Sequence, residues 1–285
     1  MALSQQSSSN TPHTPIVLSV AGSDSGGGAG IQADIKAISA TGSYACSVIS
    51  ALTAQNTLGV NAVLPIPAEF IEQQFDAVFS DLAIDVVKIG MLGDADTIKT
   101  VASALHKYQP KHIVLDPVMV ATSGDLLLAE SAISNLINQL MPMASVITPN
   151  IPEALALLGK SAAQAPNNDT QSLALCEELL ALGSSSVLLK GGHQLGDYST
   201  DYWLSHDSQQ CFSSPRINTK NTHGTGCSLS SAIASYLAQG YELATAIDLA
   251  KQYISSAIAT ADALHIGEGS GPVDHFFAMR TKVKG

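Results

Sequence analysis

Lys220-Asn221-Thr222-His223-Gly224-Thr225-Gly226-Cys227 runs straight into Ser228-Leu229-Ser230-Ser231-Ala232-Ile233. Two glycines one residue apart bend the backbone just before a helix. Leu229, Ile233, Tyr236 and Leu237 recur at helical spacing, so one face of that helix is apolar. Gly240 follows where a terminating glycine belongs. A glycine turn feeding a helix N-terminus presents unpaired N–H groups and the positive end of the macrodipole, which together suit an anion, phosphate above all. A cysteine in that field is expected to have a lowered thiol pKa. The stretch also reads as a plain helix entry with a small buried Cys, and the choice between the two lies elsewhere in the chain.

Upstream of it, strands and helices alternate. Ile16 to Ala21 is an apolar run that reads as a buried strand, and a glycine-rich loop follows, with five glycines between Gly22 and Gly30. Helices are expected over Ile31–Ala40, Pro67–Leu82, Asp94–Tyr108, Ala129–Leu140, Pro152–Leu158, up to Leu182 and over Glu242–Leu264. Strands are expected at Cys46–Ala54, Asp85–Met91, His112–Asp116, Ser145–Asn150 and Ser186–Lys190. Tyr198–Ser205 and Gln209–Ser214 read as a hairpin. This alternation predicts an α/β fold, a three-layer α/β/α sandwich with a mostly parallel central sheet. No linker splits the chain, so residues 16–285 are expected to form a single domain behind a disordered tail, 1–15.

Composition narrows the chemistry. The chain has 285 residues, 46% of them hydrophobic, which is ample for a core. The formal charge of −11 argues against nucleic acid and anionic membrane surfaces as partners. Arg216 and Arg280 are the only arginines, so a phosphate here must be met by backbone N–H groups, a metal and a few lysines. Cys46, Cys176, Cys211 and Cys227 lie far apart in the sequence and read as reduced thiols of a cytoplasmic protein. No apolar run reaches the roughly 18 residues of a membrane helix.

Ligands of such sheets bind at the C-terminal strand ends. Gly22 and Asp24, Gln55, Met91, Asp116, Asn150 and Lys190 all fall there. Gly28-x-Gly30-x-x-Ala33 fits a loose dinucleotide fingerprint, but the next strand ends in Thr53-Ala54-Gln55-Asn56-Thr57 without the acid that a ribose needs. No Walker A lysine motif occurs. Asn150 and Glu153, one helical turn apart, with Asp116 read either as hard oxygen ligands for Mg²⁺ or, in the first two, as a helix-capping pair. Lys190 either reaches a nucleotide phosphate or is a solvated strand end. His223 and His193 flank glycine turns and are as often structural as catalytic.

Taken together these stretches resemble the hydroxymethylpyrimidine/phosphomethylpyrimidine kinases of thiamine biosynthesis, in the ribokinase-like superfamily. The resemblance runs from about Ile16 to Phe277. It is carried by Ala21–Asp24, Gly27–Asp34, Ala54–Thr57, Lys88–Leu92, Asp116–Met119, Thr148–Asn150 with Glu153, Lys190–His193, the octet quoted first and Gly267–Val273. It implies ATP- and Mg²⁺-dependent phosphorylation of an aminopyrimidine alcohol and then of its monophosphate. By similarity Gln55 reads the aminopyrimidine edge, with Gly22, Asp34 and Met91 in the same pocket. Gly224, Thr225, Gly226 and Cys227 hold the transferring phosphoryl group, with Cys227 either taking a proton or only shaping the hole. Lys190, Asn150, Asp116 and Lys251 serve the nucleotide, and Glu153 and Asp116 the metal. A homodimer is also implied. Ser25-Gly26 departs from the Pro-Ser usual in relatives and is expected to loosen the first loop. A pyridoxal or pyridoxine kinase on the same scaffold and a catalytically idle ligand-binding relative are the competing readings.

Overall fold

The computed structural model describes residues 13–119, 130–192 and 196–280. The tail assigned to residues 1–15 therefore lies outside the described residues except for its last three. Ala129, the expected start of one helix, and His193 lie outside them altogether.

Among the described residues nine strands form one sheet: β1 (Ile16–Asp24), β2 (Tyr44–Asn56), β3 (Gly59–Pro65), β4 (Val86–Ile89), β5 (His112–Leu115), β6 (Val146–Ile147), β7 (Ser186–Leu189), β8 (Tyr198–Ser205) and β9 (Gln209–Pro215). Their order is β3-β2-β1-β4-β5-β6-β7-β8-β9, parallel from β2 through β7 and antiparallel at both edges. The chain leaves β1 toward one edge and returns to lay β4 on its other side, so the connections diverge at β1.

Apart from Ser19, Asp24, Lys88 and Ser186, the buried positions of β1 and β4 to β7 are apolar on both faces, as a sheet covered twice requires. Leu18, Val87, Leu115 and Ile147 point into one core with α2 (Ala68–Phe79), α3 (Ala95–Tyr108), α4 (Glu130–Asn135), α5 (Ile151–Leu157) and α6 (Asp169–Leu180). Val17, Val86, Val114 and Val146 point into the other, with α1 (Gly30–Ala40), α7 (Thr225–Ala238) and α8 (Leu243–Ala259). This is the expected three-layer sandwich.

The helix ends follow local chemistry. Asp94 caps α3 by accepting from Thr97 N, and Asn150 and Glu153 form a reciprocal capping box on α5. Some expected limits are corrected. The β6 strand is only Val146–Ile147, because Thr148-Pro149-Asn150 turns at once into the α5 cap. The last long helix stops at Ala259 and a 3₁₀ turn, Ala261–Ala263, follows, short of Leu264. The α4 helix passes into a π turn, Leu136–Leu140. Strand β3 was not expected; it is an exposed edge strand paired antiparallel to β2.

Candidate active site

The C-terminal ends of β1, β2 and β4 to β7 and the N-terminus of α7 surround one cavity of about 610 Å³. Its first wall is the glycine loop after β1. There the Asp24 carboxylate accepts from the N–H groups of Gly26, Gly28 and Ala29 at 2.8–3.0 Å. His223 Nε2, from the other end of the chain, lies 2.9 Å from Asp24 Oδ2. Burial works to raise the Asp24 pKa, but His223 and the loop N–H groups overcome it and hold the carboxyl below its ordinary value. Ser25 Oγ donates to Gln55 O and accepts from Gln55 N, both at 2.8 Å. Ser25 thus ties this loop to β2.

Gln55, at the end of β2, turns its amide into the cavity between Thr53 and His223. Met91 and Gly22 close the wall beside it, packed so tightly that a Cβ on Gly22 would meet Met91 Cε at 2.3 Å. Asp34 is not on this wall. It is fully buried behind it, bonded to Lys88 Nζ at 2.8 and 2.9 Å, to Ser19 Oγ at 2.6 Å and to Ser231 Oγ at 2.8 Å. Lys88 is equally buried; burial would strip its proton, but Asp34, with Cys227 and Asp116 nearby, raises its pKa instead. The face of α1 that carries Asp34 packs on α7 and β1, and its carboxylate reaches Lys88 on β4, which is why it stands behind the pocket wall.

The far wall carries the charged groups. Lys190 Nζ is 2.8 Å from Asp116 Oδ1 and 3.9 Å from Glu153 Oε2. Thr148 Oγ1 also donates to Asp116, at 3.0 Å. Burial opposes the Asp116 charge, yet Lys190 and Lys88 keep its pKa low. Burial wins at Glu153, with Lys190 opposing and Asp116 assisting, and pushes it up to about 7. Lys251 Nζ pairs with Asp201 Oδ2 at 2.8 Å, while Asp201 Oδ1 accepts from Gly191 N. Asn150 and Lys251 both line the cavity.

Between these walls lies the glycine turn of the opening octet. Gly224 is left-handed, φ 78°, at the N-cap of α7. Thr225 N–H turns back onto Thr222 O and Ser228 N–H onto Gly224 O. Gly226 and Cys227 N–H fall in the first turn of α7, whose N–H groups have no partner within the helix. A Cβ on Gly226 would sit 3.1 Å from Lys190 Nζ and 3.6 Å from Asp116 Oδ2, so the turn abuts the charged wall. Cys227 lines the cavity, but its thiol is not lowered. Burial, together with the nearby Asp34 and Asp116 charges, outweighs Lys88 and the Gly30 N–H and pushes it up to about 11.

Sequence reasoning missed three contacts. Asp24 and His223 meet across 199 residues. Asp201, on the hairpin, holds Lys251. Arg216 donates to the carbonyls of Gly192, Gly196 and Tyr198. A single Arg after the hairpin was the one visible trace of those bonds.

Among the described residues no group of three or more His, Cys, Asp or Glu side chains is arranged to hold a metal. Asp116 and Glu153 nonetheless fit Mg²⁺ in the manner of substrate-completed sites, where one or two carboxylates act with water and phosphate oxygens.

A family model described as phosphomethylpyrimidine kinase matches residues 24–274. The hydroxymethylpyrimidine/phosphomethylpyrimidine kinase of Escherichia coli K12 is 49% identical over 261 residues, 92% of this chain and 97% of that one. The protein of the same name from Rhizobium meliloti is 49% identical over 263 residues, with the same coverage. Among solved structures, phosphomethylpyrimidine kinase from Clostridium difficile 630 aligns with a TM-score of 0.75 at 45% identity, covering 85% of this chain and 99% of that one. The ADP complex of Bacillus subtilis pyridoxal kinase aligns with a TM-score of 0.85 at 31% identity, covering 94% and 100%.

Proposed function

This chain belongs to the phosphomethylpyrimidine kinase family, and we propose that it phosphorylates 4-amino-5-hydroxymethyl-2-methylpyrimidine and then its monophosphate, using ATP. One observation carries the reading. A continuous line of contacts runs from the Gln55 amide through His223 to Gly224, on to Gly226, and from there to Lys190 with Asp116 and Glu153. A group that can read an aminopyrimidine edge, an anion hole and a phosphate-binding lysine thus stand in the order that a phosphoryl transfer to a ring substituent requires.

Gln55 offers a donor and an acceptor side by side, matching a ring nitrogen beside an amino group. Gly22 and Met91 shape the space for the ring. The N–H groups of Gly226 and Cys227 and the end of the α7 dipole face the phosphoryl group in flight. Lys190 and Lys251 take nucleotide phosphates, and Asn150 sits beside them. Asp116 and Glu153 would hold Mg²⁺, which when bound neutralises phosphate charge and orients the oxygens. With its thiol at about 11, Cys227 serves as a neutral part of the hole. That suits a loose transition state in which positioning and charge stabilisation dominate over base strength.

The reading takes residues 16–285 as one domain and includes the homodimer that the family resemblance implies and the cytoplasmic location that the scattered cysteines suggest. Among the described residues no helix is long and apolar enough to cross a membrane. The pyridoxal kinases share the fold at high TM-score but at 28–31% identity, against 45–49% for the pyrimidine kinases. The test is ADP formation with the pyrimidine alcohol, its monophosphate and pyridoxine in parallel. Turnover of the first two is expected; turnover of pyridoxine alone would overturn the assignment, and no turnover of any would make the chain an idle relative.

A further inference from the structure

The Gln55 amide has a polar neighbour at each end. Oε1 lies 3.1 Å from Thr53 Oγ1, and Nε2 lies 3.4 Å from His223 Nε2. The two ends of a primary amide have the same shape, and hydrogen-bond logic tells oxygen from nitrogen. That logic is strict here. Asp24 already accepts from three loop N–H groups and is held ionised by them and by His223. An ionised carboxylate only accepts, so His223 Nε2, 2.9 Å away, carries a proton. A protonated ring nitrogen cannot accept from an amide N–H. At the other end Thr53 has one hydroxyl proton, and it goes to the Ser23 carbonyl at 2.8 Å. Thr53 Oγ1 therefore faces Gln55 with lone pairs. Both neighbours ask for the opposite rotamer, with the carbonyl toward His223 and the NH₂ toward Thr53.

We propose that the Asp24–His223 pair and Thr53 lock the Gln55 amide in that turned orientation and thereby decide which way round the pyrimidine ring binds. The proposal rests on Gln55 as the pyrimidine reader. In this orientation one lone pair beside His223 and one N–H beside Thr53 stay available to a ligand. The exocyclic amino group then lies on the His223 side and the ring nitrogen on the Thr53 side. Along that edge of the ring the order is nitrogen, amino-bearing carbon, hydroxymethyl-bearing carbon. The hydroxymethyl group thus falls beyond the amino group, toward His223 and the adjoining Gly224, where the anion hole begins. The unturned amide would send it toward Thr53, away from the phosphoryl group. His223 and Thr53 are positioning residues in this account, acting through Gln55.

The test uses the full chain without nucleotide and two probes by calorimetry: the aminopyrimidine alcohol and its 4-oxo counterpart, whose edge carries the reversed donor–acceptor pattern. Wild type is expected to prefer the amino compound by about 100-fold or more, because the reversed edge leaves polar groups unpaired. In Thr53→Val and His223→Phe the amide is released, and the preference should fall about tenfold, mainly through gained affinity for the oxo compound. The KM for ATP and the melting temperature control for folding, and Thr53→Val alone suffices if His223→Phe fails to fold. A purely structural role would weaken both probes alike, and an unchanged ratio in Thr53→Val would overturn the proposal. If wild type binds the amino compound but the ratio holds, only the orientation falls. If wild type binds neither probe, the assignment of Gln55 falls and the orientation with it.

Discussion

Gly224→Ala should abolish most of the activity, and the reason is contact more than backbone strain. A Cβ at this position would lie 1.8 Å from Gly28 O, 2.9 Å from Gly28 C and 3.2 Å from Ala29 Cα. Ordinary contact begins near 3.4 Å, so the two loops must part by about 1.6 Å. Neither yields easily, because the Gly28 and Ala29 N–H groups are tied to Asp24, and Asp24 to His223, the residue beside Gly224. The separation falls on the anion hole itself, and a misplacement of about 1 Å there costs roughly 100-fold in rate. The left-handed φ of 78° adds about 1–2 kcal/mol of strain. Gly240 at the other end of the same helix isolates that second effect: its φ is 89°, and a Cβ would meet nothing within 4 Å. Gly240→Ala should therefore lower stability by about 1–2 kcal/mol and leave kcat untouched. Steady-state ADP formation and thermal melting of both variants decide the matter. A Gly224→Ala enzyme with kcat within twofold of wild type would refute the loop-contact argument.

Other outcomes follow from the buried charges. Lys88→Met strands Asp34 in the core and should cost about 3–5 kcal/mol, a melting shift on the order of 10 °C, whereas replacing both partners by apolar residues should recover most of it; a shift under 2 °C for the single variant would contradict the pairing. Burial, helped by the Lys36 charge, lowers the His275 pKa to about 4, while its ring nitrogen meets Ser228 Oγ at 2.8 Å. The folded chain then binds fewer protons at this site than the unfolded chain between pH 6.5 and 4, so stability drops as pH falls through that window, by up to about 3 kcal/mol. His275→Asn should flatten that part of the pH–stability curve, and identical wild-type and variant slopes would exclude it. Cys227→Ser should keep kcat within about tenfold and show the same pH–rate profile as wild type between pH 6 and 9; a limb present only in wild type would restore the thiolate base.

The sequence made the strand ends legible, because apolar runs stop where a Gly, Asp, Asn or Lys stands and those residues converge in a parallel sheet. The terminating glycines were equally plain, with Gly42 at φ 100° and Gly240 at φ 89°. Strand β3 left no mark, since Gly-Val-Asn-Ala-Val-Leu-Pro does not alternate cleanly and an exposed edge strand does not need to. Asp34 misled because a motif residue four places along a helix from a loop faces whatever that helix packs on, here α7. Cys227 misled because a helix N-terminus is a local signal, while burial beside Asp34 and Asp116 depends on residues that are far away in sequence. The Asp24–His223 pair was invisible for the same reason.

An acidic chain with two arginines still has to hold polyphosphate, and the way it places its lysines shows how. Lys190 and Lys251, which line the cavity, are each paired at 2.8 Å with an aspartate: Asp116 and Asp201. The pairs cancel charge before any ligand arrives, so the site draws little on net positive potential. What they provide is position. A lone lysine on a four-carbon stem would sample many rotamers, whereas one fixed by a buried carboxylate presents its remaining N–H bonds in one direction. On the proposed reading the Asp116 carboxylate that fixes Lys190 faces the same space and, with Glu153, would hold a divalent cation there. Fixed donors that need no rearrangement at the moment of transfer are what stabilises charge best in a water-poor cleft. The apparent poverty of cations and the dense hydrogen bonding around Asp24, Asp116 and Asp201 are therefore two sides of one solution.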